Sequence, residues 1–168
     1  MSEQIVIQDN FLNIKEYNEV YNLFTGTSLP WSYNYDVVRG YIDQSTDSLY
    51  NFQFIHSFYR GHRPTSEYFD SLLPILSKLN IKALIRVKAN LTPKSDILYE
   101  HGMHTDIDID CTTALYYVNS NDGYTKFQDG TKIESVRNRL VTFPSAMQHT
   151  GTTCTDSKLR VVINFNYF

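Results

Sequence analysis

Within the segment His101-Gly102-Met103-His104-Thr105-Asp106, an imidazole and a carboxylate stand two residues apart. On a β-strand, positions i and i+2 share a face about 6–7 Å apart at their Cα atoms, so His104 and Asp106 can reach one ion from one strand. A third ligand has to come from a distant segment, and His149 is the natural candidate. Two imidazoles and one carboxylate on one side of an ion form a facial arrangement suited to Fe(II), with the opposite positions left open. Eleven residues beyond His149 stands Arg160, whose planar fork suits bidentate capture of a carboxylate. The order His-x-Asp, short strands, His, Arg carries more than the tripeptide, which is common alone. A second reading stays open here. His104, Asp106, Asp108 and Asp110 alternate, as they would on a solvated edge strand that discourages aggregation.

The elements that must position these residues are legible from periodicity. Gln4 to Gln8 reads as an opening strand. Asn13 to Glu16 forms a capping box, and Ile14, Tyr17, Val20, Tyr21 and Phe24 then mark the buried stripe of an amphipathic helix. Residues 25–63 are irregular, broken at Pro30-Trp31 and Gly40, with one long or two short strands over Leu49 to Tyr59. Pro64-Thr65-Ser66-Glu67 predicts a second helix with a hydroxyl cap, buried through Phe69, Leu72, Leu73, Leu76 and Leu79, kinked at Pro74 and ended by Asn80. From Lys82 the signal is β. The expected strands are Ala83–Leu91, Ile97–Tyr99, Thr112–Asn119, Gly123–Phe127, Lys132–Val136, Arg139–Phe143, Gln148–Thr153 and Leu159–Phe168. Short strands at this spacing, divided by turn residues, point to a mainly β (α+β) jelly roll. The chain reads as a single domain, 1–168, with helical support and outer strands in 1–82 and the β core in 83–168.

Composition narrows the function. With 168 residues, 42% hydrophobic and 20% charged, the chain can bury a real core. Its 13 Tyr and 10 Phe favour strands over a helical bundle. A net charge of −3 disfavours a sequence-independent nucleic-acid binder, which shows a basic face. Cys111 and Cys154 make no disulfide framework, and reduced thiols in a cytoplasmic setting are the expectation. Neither a signal peptide at Met1-Ser2-Glu3-Gln4 nor an apolar run long enough for a membrane span is visible. His56, His62 and Trp31 read as structural residues. No H-E-x-x-H helix supports zinc hydrolysis, and neither cysteine is placed as a nucleophile.

Four marks across residues 83–168 resemble the 2-oxoglutarate- and Fe(II)-dependent oxygenases, particularly the prolyl-4-hydroxylase-like branch. They are His104-Thr105-Asp106, the strand Cys111 to Asn119, the Gly-led strand Asp122-Gly123 to Phe127, and His149 followed by Arg160. The resemblance implies a double-stranded β-helix (jelly-roll, cupin-like) with N-terminal supporting helices. It implies Fe(II) held by His104, Asp106 and His149, with Asp106 preferred to Asp108 by the H-x-D spacing. His101 reads either as a further ligand or, more readily, as a residue beside the site or on the surface. It further implies that 2-oxoglutarate, consumed with O2 and decarboxylated to succinate, pairs its distal carboxylate with Arg160. Tyr117 matches a tyrosine that helps hold that carboxylate, although as plain core filler it is nearly as well explained. Asn164, on the strand face of Arg160, and Asn90, on the first strand, are further candidates for the cosubstrate pocket. The run between the first strand and His104 is longer than the family pattern, which loosens the alignment of Asn90 and Lys94. Arg86 and Lys88 either attract an anionic substrate or solvate their strand. Hydroxylation of a peptidyl residue, proline included, is the leading expectation. The same chemistry on a nucleobase or small metabolite, and a non-catalytic metal-binding module, are the alternatives.

Overall fold

In the computed structural model, which describes residues 5–38 and 49–168, two antiparallel sheets close on each other around a polar cavity. Gln4 and Gly40 lie outside the described residues. In chain order the elements are β1 (Val6–Gln8), α1 (Ile14–Thr25), β2 (Ser32–Asn34), β3 (Gln53–Arg60), β4 (Arg63–Pro64), a 3-10 turn (Phe69–Leu72) running into the single turn α2 (Leu73–Leu76), β5 (Leu84–Pro93), β6 (Thr112–Tyr117), β7 (Tyr124–Phe127), β8 (Lys132–Glu134), β9 (Arg139–Pro144), β10 (His149–Gly151) and β11 (Leu159–Tyr167). The larger sheet runs β1-β9-β6-β11-β5-β3-β2, with β4 paired to β3, and the smaller runs β10-β7-β8. This is the double-stranded β-helix expected from the sequence.

Strand alternation gives the larger sheet two different faces. On β5, β6 and β11 one set (Val87, Ala89, Ala114, Tyr116, Val161, Ile163, Phe165), with Val118 just past β6, is buried against Tyr17, Val20 and Phe24 of α1. The opposite set (Leu115, Tyr117, Val162) meets Phe127 and Ile133 of the smaller sheet in a second core. Between these layers the polar members of the inward face, Lys88, Asn90, Thr92, Arg160 and Asn164, line the cavity. The register of β5 on β11 sets Thr92 opposite Arg160, Asn90 opposite Val162 and Lys88 opposite Asn164.

The first helix begins with the expected capping box: Asn13 Oδ1 accepts from the Glu16 backbone at 3.0 Å, and Glu16 accepts from the Asn13 backbone at 3.1 Å. Its buried face is Tyr17, Val20 and Phe24, whereas Ile14 and Tyr21 are exposed. Asn13→Ala is expected to destabilise the protein by about 1 kcal/mol in urea unfolding, the usual worth of an N-cap.

The second helix shrinks to one 3-10 turn and one α-turn. Its expected caps are largely engaged elsewhere: Thr65 Oγ1 donates to Ser57 O (2.9 Å), and Ser66 Oγ, while accepting from Tyr68 N (3.0 Å), also pairs with the His56 ring (2.7 Å). Pro64 is drawn into β4, and Pro74 stands in the first turn of α2, where no N–H is required, so it starts a helix instead of kinking one. Ile75 is buried there while Leu73 is exposed.

Ile97–Tyr99 forms no strand. Thr153 takes over its bonding, accepting from Tyr99 N through Oγ1 (2.8 Å) and donating to Ile97 O (2.8 Å), so that only isolated bridges remain at Lys94, Glu100 and His104. His56 is fixed between Pro30 O and Ser66, His62 occupies the exposed β3–β4 turn at φ +62°, and Trp31 packs on Phe24, all structural roles. Both cysteines are free thiols. Among the described residues no helix is long and apolar enough to cross a membrane.

Candidate active site

His104 and Asp106 do not share a regular strand. His104 sits at an isolated bridge with His149, each backbone N–H donating to the other's carbonyl at 3.0 Å, and Asp106 lies in the bend that follows. That double hydrogen bond, not strand alternation, brings the distant histidine to the pair. One ligand atom from each of His104, Asp106 and His149 lies within 4.8 Å of the others. His149 Nε2 is 3.2 Å from Asp106 Oδ2, and His104 Nε2 is 3.9 Å from Asp106 Oδ1. Asp108 and Asp110 are exposed and outside the cluster, so the picture of one solvated acidic face does not hold.

Both imidazoles are held in the form a metal needs. His104 Nδ1 faces Gly102 O at 3.0 Å and His149 Nδ1 faces Met147 O at 3.1 Å. A carbonyl oxygen only accepts, so each Nδ1 carries a hydrogen and each Nε2 is the atom turned to the cluster centre, where a metal would displace the proton that His149 Nε2 shares with Asp106. Two ring nitrogens and a carboxylate converging on one point call for a cation there. The electrostatics agree. Burial works against ionisation of Asp106, but the His149 hydrogen bond and the nearby Arg86 hold its carboxyl well below the usual range. Burial likewise pushes His149 down, yet the Asp106 carboxylate outweighs it and raises the imidazole above its ordinary value.

Asp106 is oriented from two further strands. Asn164 Nδ2 donates to its Oδ2 at 2.6 Å, and Arg86 Nη2 stands 3.4 Å from its Oδ1 while Arg86 Nε donates to Asn166. Arg86 is thus tied to Asp106 and Asn166. Lys88, in contrast, has no carboxylate partner among the described residues and faces the cavity, with burial pulling its pKa down.

Arg160 is buried, and no carboxylate among the described residues pairs with it. Its Nε donates to Ser135 Oγ (2.9 Å) and its Nη2 to Thr125 Oγ1 (3.3 Å). Tyr117 stands behind this arrangement: its hydroxyl donates to Thr125 Oγ1 at 2.7 Å, and it is not among the cavity-lining residues. Gly123 makes the seat possible, since a Cβ there would lie 2.7 Å from Arg160 Cδ and 2.7 Å from Thr153 O. Gly123→Ala is therefore expected to displace the guanidinium and weaken anion binding in the cavity several-fold, with about 1–3 kcal/mol of lost stability from overpacking. Titration calorimetry and a thermal melt measure the two effects.

The cavity is also where the polar bookkeeping is incomplete. Of six buried side-chain atoms without a hydrogen-bond partner among the described residues, four belong to cavity-lining residues: Asn90 Oδ1, Asn164 Oδ1 and both ring nitrogens of His101. Buried polar groups are ordinarily satisfied, so this concentration marks a site shaped for a polar occupant. Lys94, bridged to Cys154, does not line it. Thr92, Thr125, Ser135 and Gln53 were not singled out in the sequence. Alternation with Asn90 would have found Thr92, whereas the other three arrive through long-range contacts.

No protein-family model matches the sequence, and no curated protein matches it. Solved structures do. The chain is similar to a prolyl hydroxylase from Trichoplax adhaerens in complex with a hypoxia inducible factor peptide fragment, with TM-score 0.67 and 18% identity over 99% of this chain and 84% of that one. A Pseudomonas putida prolyl-4-hydroxylase gives TM-score 0.63 and 16% identity over 99% and 93% of the two chains. The non-heme alpha ketoglutarate dependent epimerase SnoN from nogalamycin biosynthesis gives 0.66 and 10% over 99% and 78%. The chain therefore has the fold of the prolyl hydroxylases and other 2-oxoglutarate and Fe(II) oxygenases.

Proposed function

We propose that the protein is a 2-oxoglutarate-dependent Fe(II) dioxygenase that hydroxylates a peptidyl residue, with proline the first to test. The observation that carries this reading is one cavity presenting both a His-Asp-His cluster and a buried guanidinium with no carboxylate partner among the described residues. A buried unpaired cation is expensive, so an anionic occupant is required beside Arg160. A ketoacid with a second carboxylate satisfies both ends at once. His104, Asp106 and His149 would hold the ion, and Arg160, steadied by Ser135 and Thr125, would hold the distal carboxylate. Asn164 and Arg86 keep Asp106 in place, while Asn90 offers a further polar contact. Bound Fe(II) with 2-oxoglutarate supplies the oxidising chemistry that consumes O2 and leaves succinate and CO2.

A groove beside the cavity supports an extended substrate. Ile55, Ile85, Ile107 and Ile109 line it with Arg60, and Lys88 belongs to the walls of both. A peptide with an apolar side chain and an acidic neighbour suits that lining, and the Trichoplax relative is named with a peptide bound. A small-molecule substrate is the second reading, favoured by the likeness to an epimerase from nogalamycin biosynthesis. The test is succinate release by the Fe(II) protein with 2-oxoglutarate, with and without peptides, nucleosides and amino acids. Stimulation by peptides is expected. Stimulation only by small molecules transfers the reading to them, and no succinate under any condition leaves a metal-binding module.

A further inference from the structure

His101 is 5% exposed, lines the cavity, and has both ring nitrogens unpartnered among the described residues. Its backbone is fixed: the N–H donates to Gly151 O at 3.1 Å, and the carbonyl accepts from Thr150 Oγ1 at 2.7 Å. The ring packs edge-on against Tyr99, with centroids 5.4 Å apart at 74°. It is not part of the candidate ligand cluster, which among the described residues joins His104, Asp106 and His149. Its position follows from the register. His104 pairs with His149 at the metal end, whereas His101 pairs with Gly151, and a Cβ on Gly151 would lie 3.4 Å from Arg160 Nη1. His101 therefore sits at the level of the guanidinium, one step along from the metal.

A ring so buried leaves two polar atoms desolvated and unsatisfied unless an occupant meets them. Burial, reinforced by the charges of Arg160 and His104, pushes its pKa down to about 3, so the imidazole is neutral with one N–H to give. Beside Arg160, the acceptor to receive it is a carboxylate oxygen.

We propose that His101 is a positioning residue that donates a ring N–H to the same distal carboxylate that Arg160 holds, and so helps select a dicarboxylic over a monocarboxylic ketoacid. This rests on the Fe(II) and 2-oxoglutarate reading above. The test uses the full chain, loaded anaerobically with Fe(II), and measures equilibrium affinity for 2-oxoglutarate and for pyruvate, which has the same oxoacid head and no second carboxylate. In His101→Phe, 2-oxoglutarate should bind about tenfold more weakly, the loss of one hydrogen bond to a charged group, while pyruvate and Fe(II) affinities stay as in wild type. His101→Gln, which keeps an N–H donor, should recover most of the loss. The melting temperature of metal-free His101→Phe should not fall, because the deleted nitrogens bond nothing among the described residues. If that variant does not fold, His101→Ala gives the same two-ligand comparison. Unchanged 2-oxoglutarate affinity, or an equal loss for both acids, overturns the role of His101 alone. A wild-type protein that takes Fe(II) but not 2-oxoglutarate overturns the ketoacid reading, and this inference with it.

Discussion

Arg160→Met should weaken 2-oxoglutarate binding by a hundredfold or more while leaving Fe(II) bound, and the ligand-free variant should melt no lower than wild type. The two signs have one cause. In the free protein Arg160 is a buried cation whose partners among the described residues are the hydroxyls of Ser135 and Thr125, so its charge is incompletely compensated there. A linear apolar side chain of similar length removes that penalty, and such replacements of buried charges are often neutral or stabilising. With the ketoacid bound, the same guanidinium has its counter-ion, and truncating one partner of a buried charge pair costs about 2–5 kcal/mol. A hundredfold is about 2.8 kcal/mol. Calorimetry on the Fe(II) or Mn(II) protein gives the affinity and a thermal melt gives the stability. Unaltered 2-oxoglutarate affinity would remove Arg160 from the cavity's function. A marked drop in melting temperature without ligand would mark it as a structural cation.

Asp106→Asn should reduce Fe(II) affinity by well over a hundredfold, with the fold intact. Substituting a residue that merely supports a ligand costs 10–100-fold in metal affinity, and here a ligand's charge is removed. The isosteric amide can still accept from Asn164, so the bend holding residue 106 is preserved. Anaerobic competition against a chelator measures the affinity, and a circular dichroism spectrum checks the fold. A variant that holds Fe(II) as tightly as wild type would exclude Asp106 from coordination. The parallel substitution Asp108→Asn should leave affinity unchanged, because that side chain is exposed and outside the cluster.

Much of this was legible in the chain because the relevant signals are local or chemical. The alternation of Lys88, Asn90 and Thr92 against Val87, Ala89 and Leu91 fixes which face of β5 turns inward. The same holds for Arg160, Val162 and Asn164 on β11. The order of His104, Asp106, His149 and Arg160 carried the site. What escaped was tertiary. Ser135, Thr125 and Gly123 seat Arg160 from three places, and a hydroxyl or a missing Cβ leaves no periodic mark. Arg86 read as a free cation because its tie to Asp106 crosses strands. The second helix failed for a similar reason: Thr65 spends its hydroxyl on β3, and Ser66 divides its own between Tyr68 N and His56. His101 looked peripheral until Gly151 and Tyr99 buried it.

Anaerobic titration of the Fe(II) protein with 2-oxoglutarate, followed by absorption, tests the central assignment most directly. A ketoacid chelating the iron should produce a weak visible charge-transfer band that saturates at one equivalent. The band should be absent in Asp106→Asn and displaced to far higher ligand concentration in Arg160→Met. A wild-type protein that takes up Fe(II) yet shows no band at any 2-oxoglutarate concentration would contradict it.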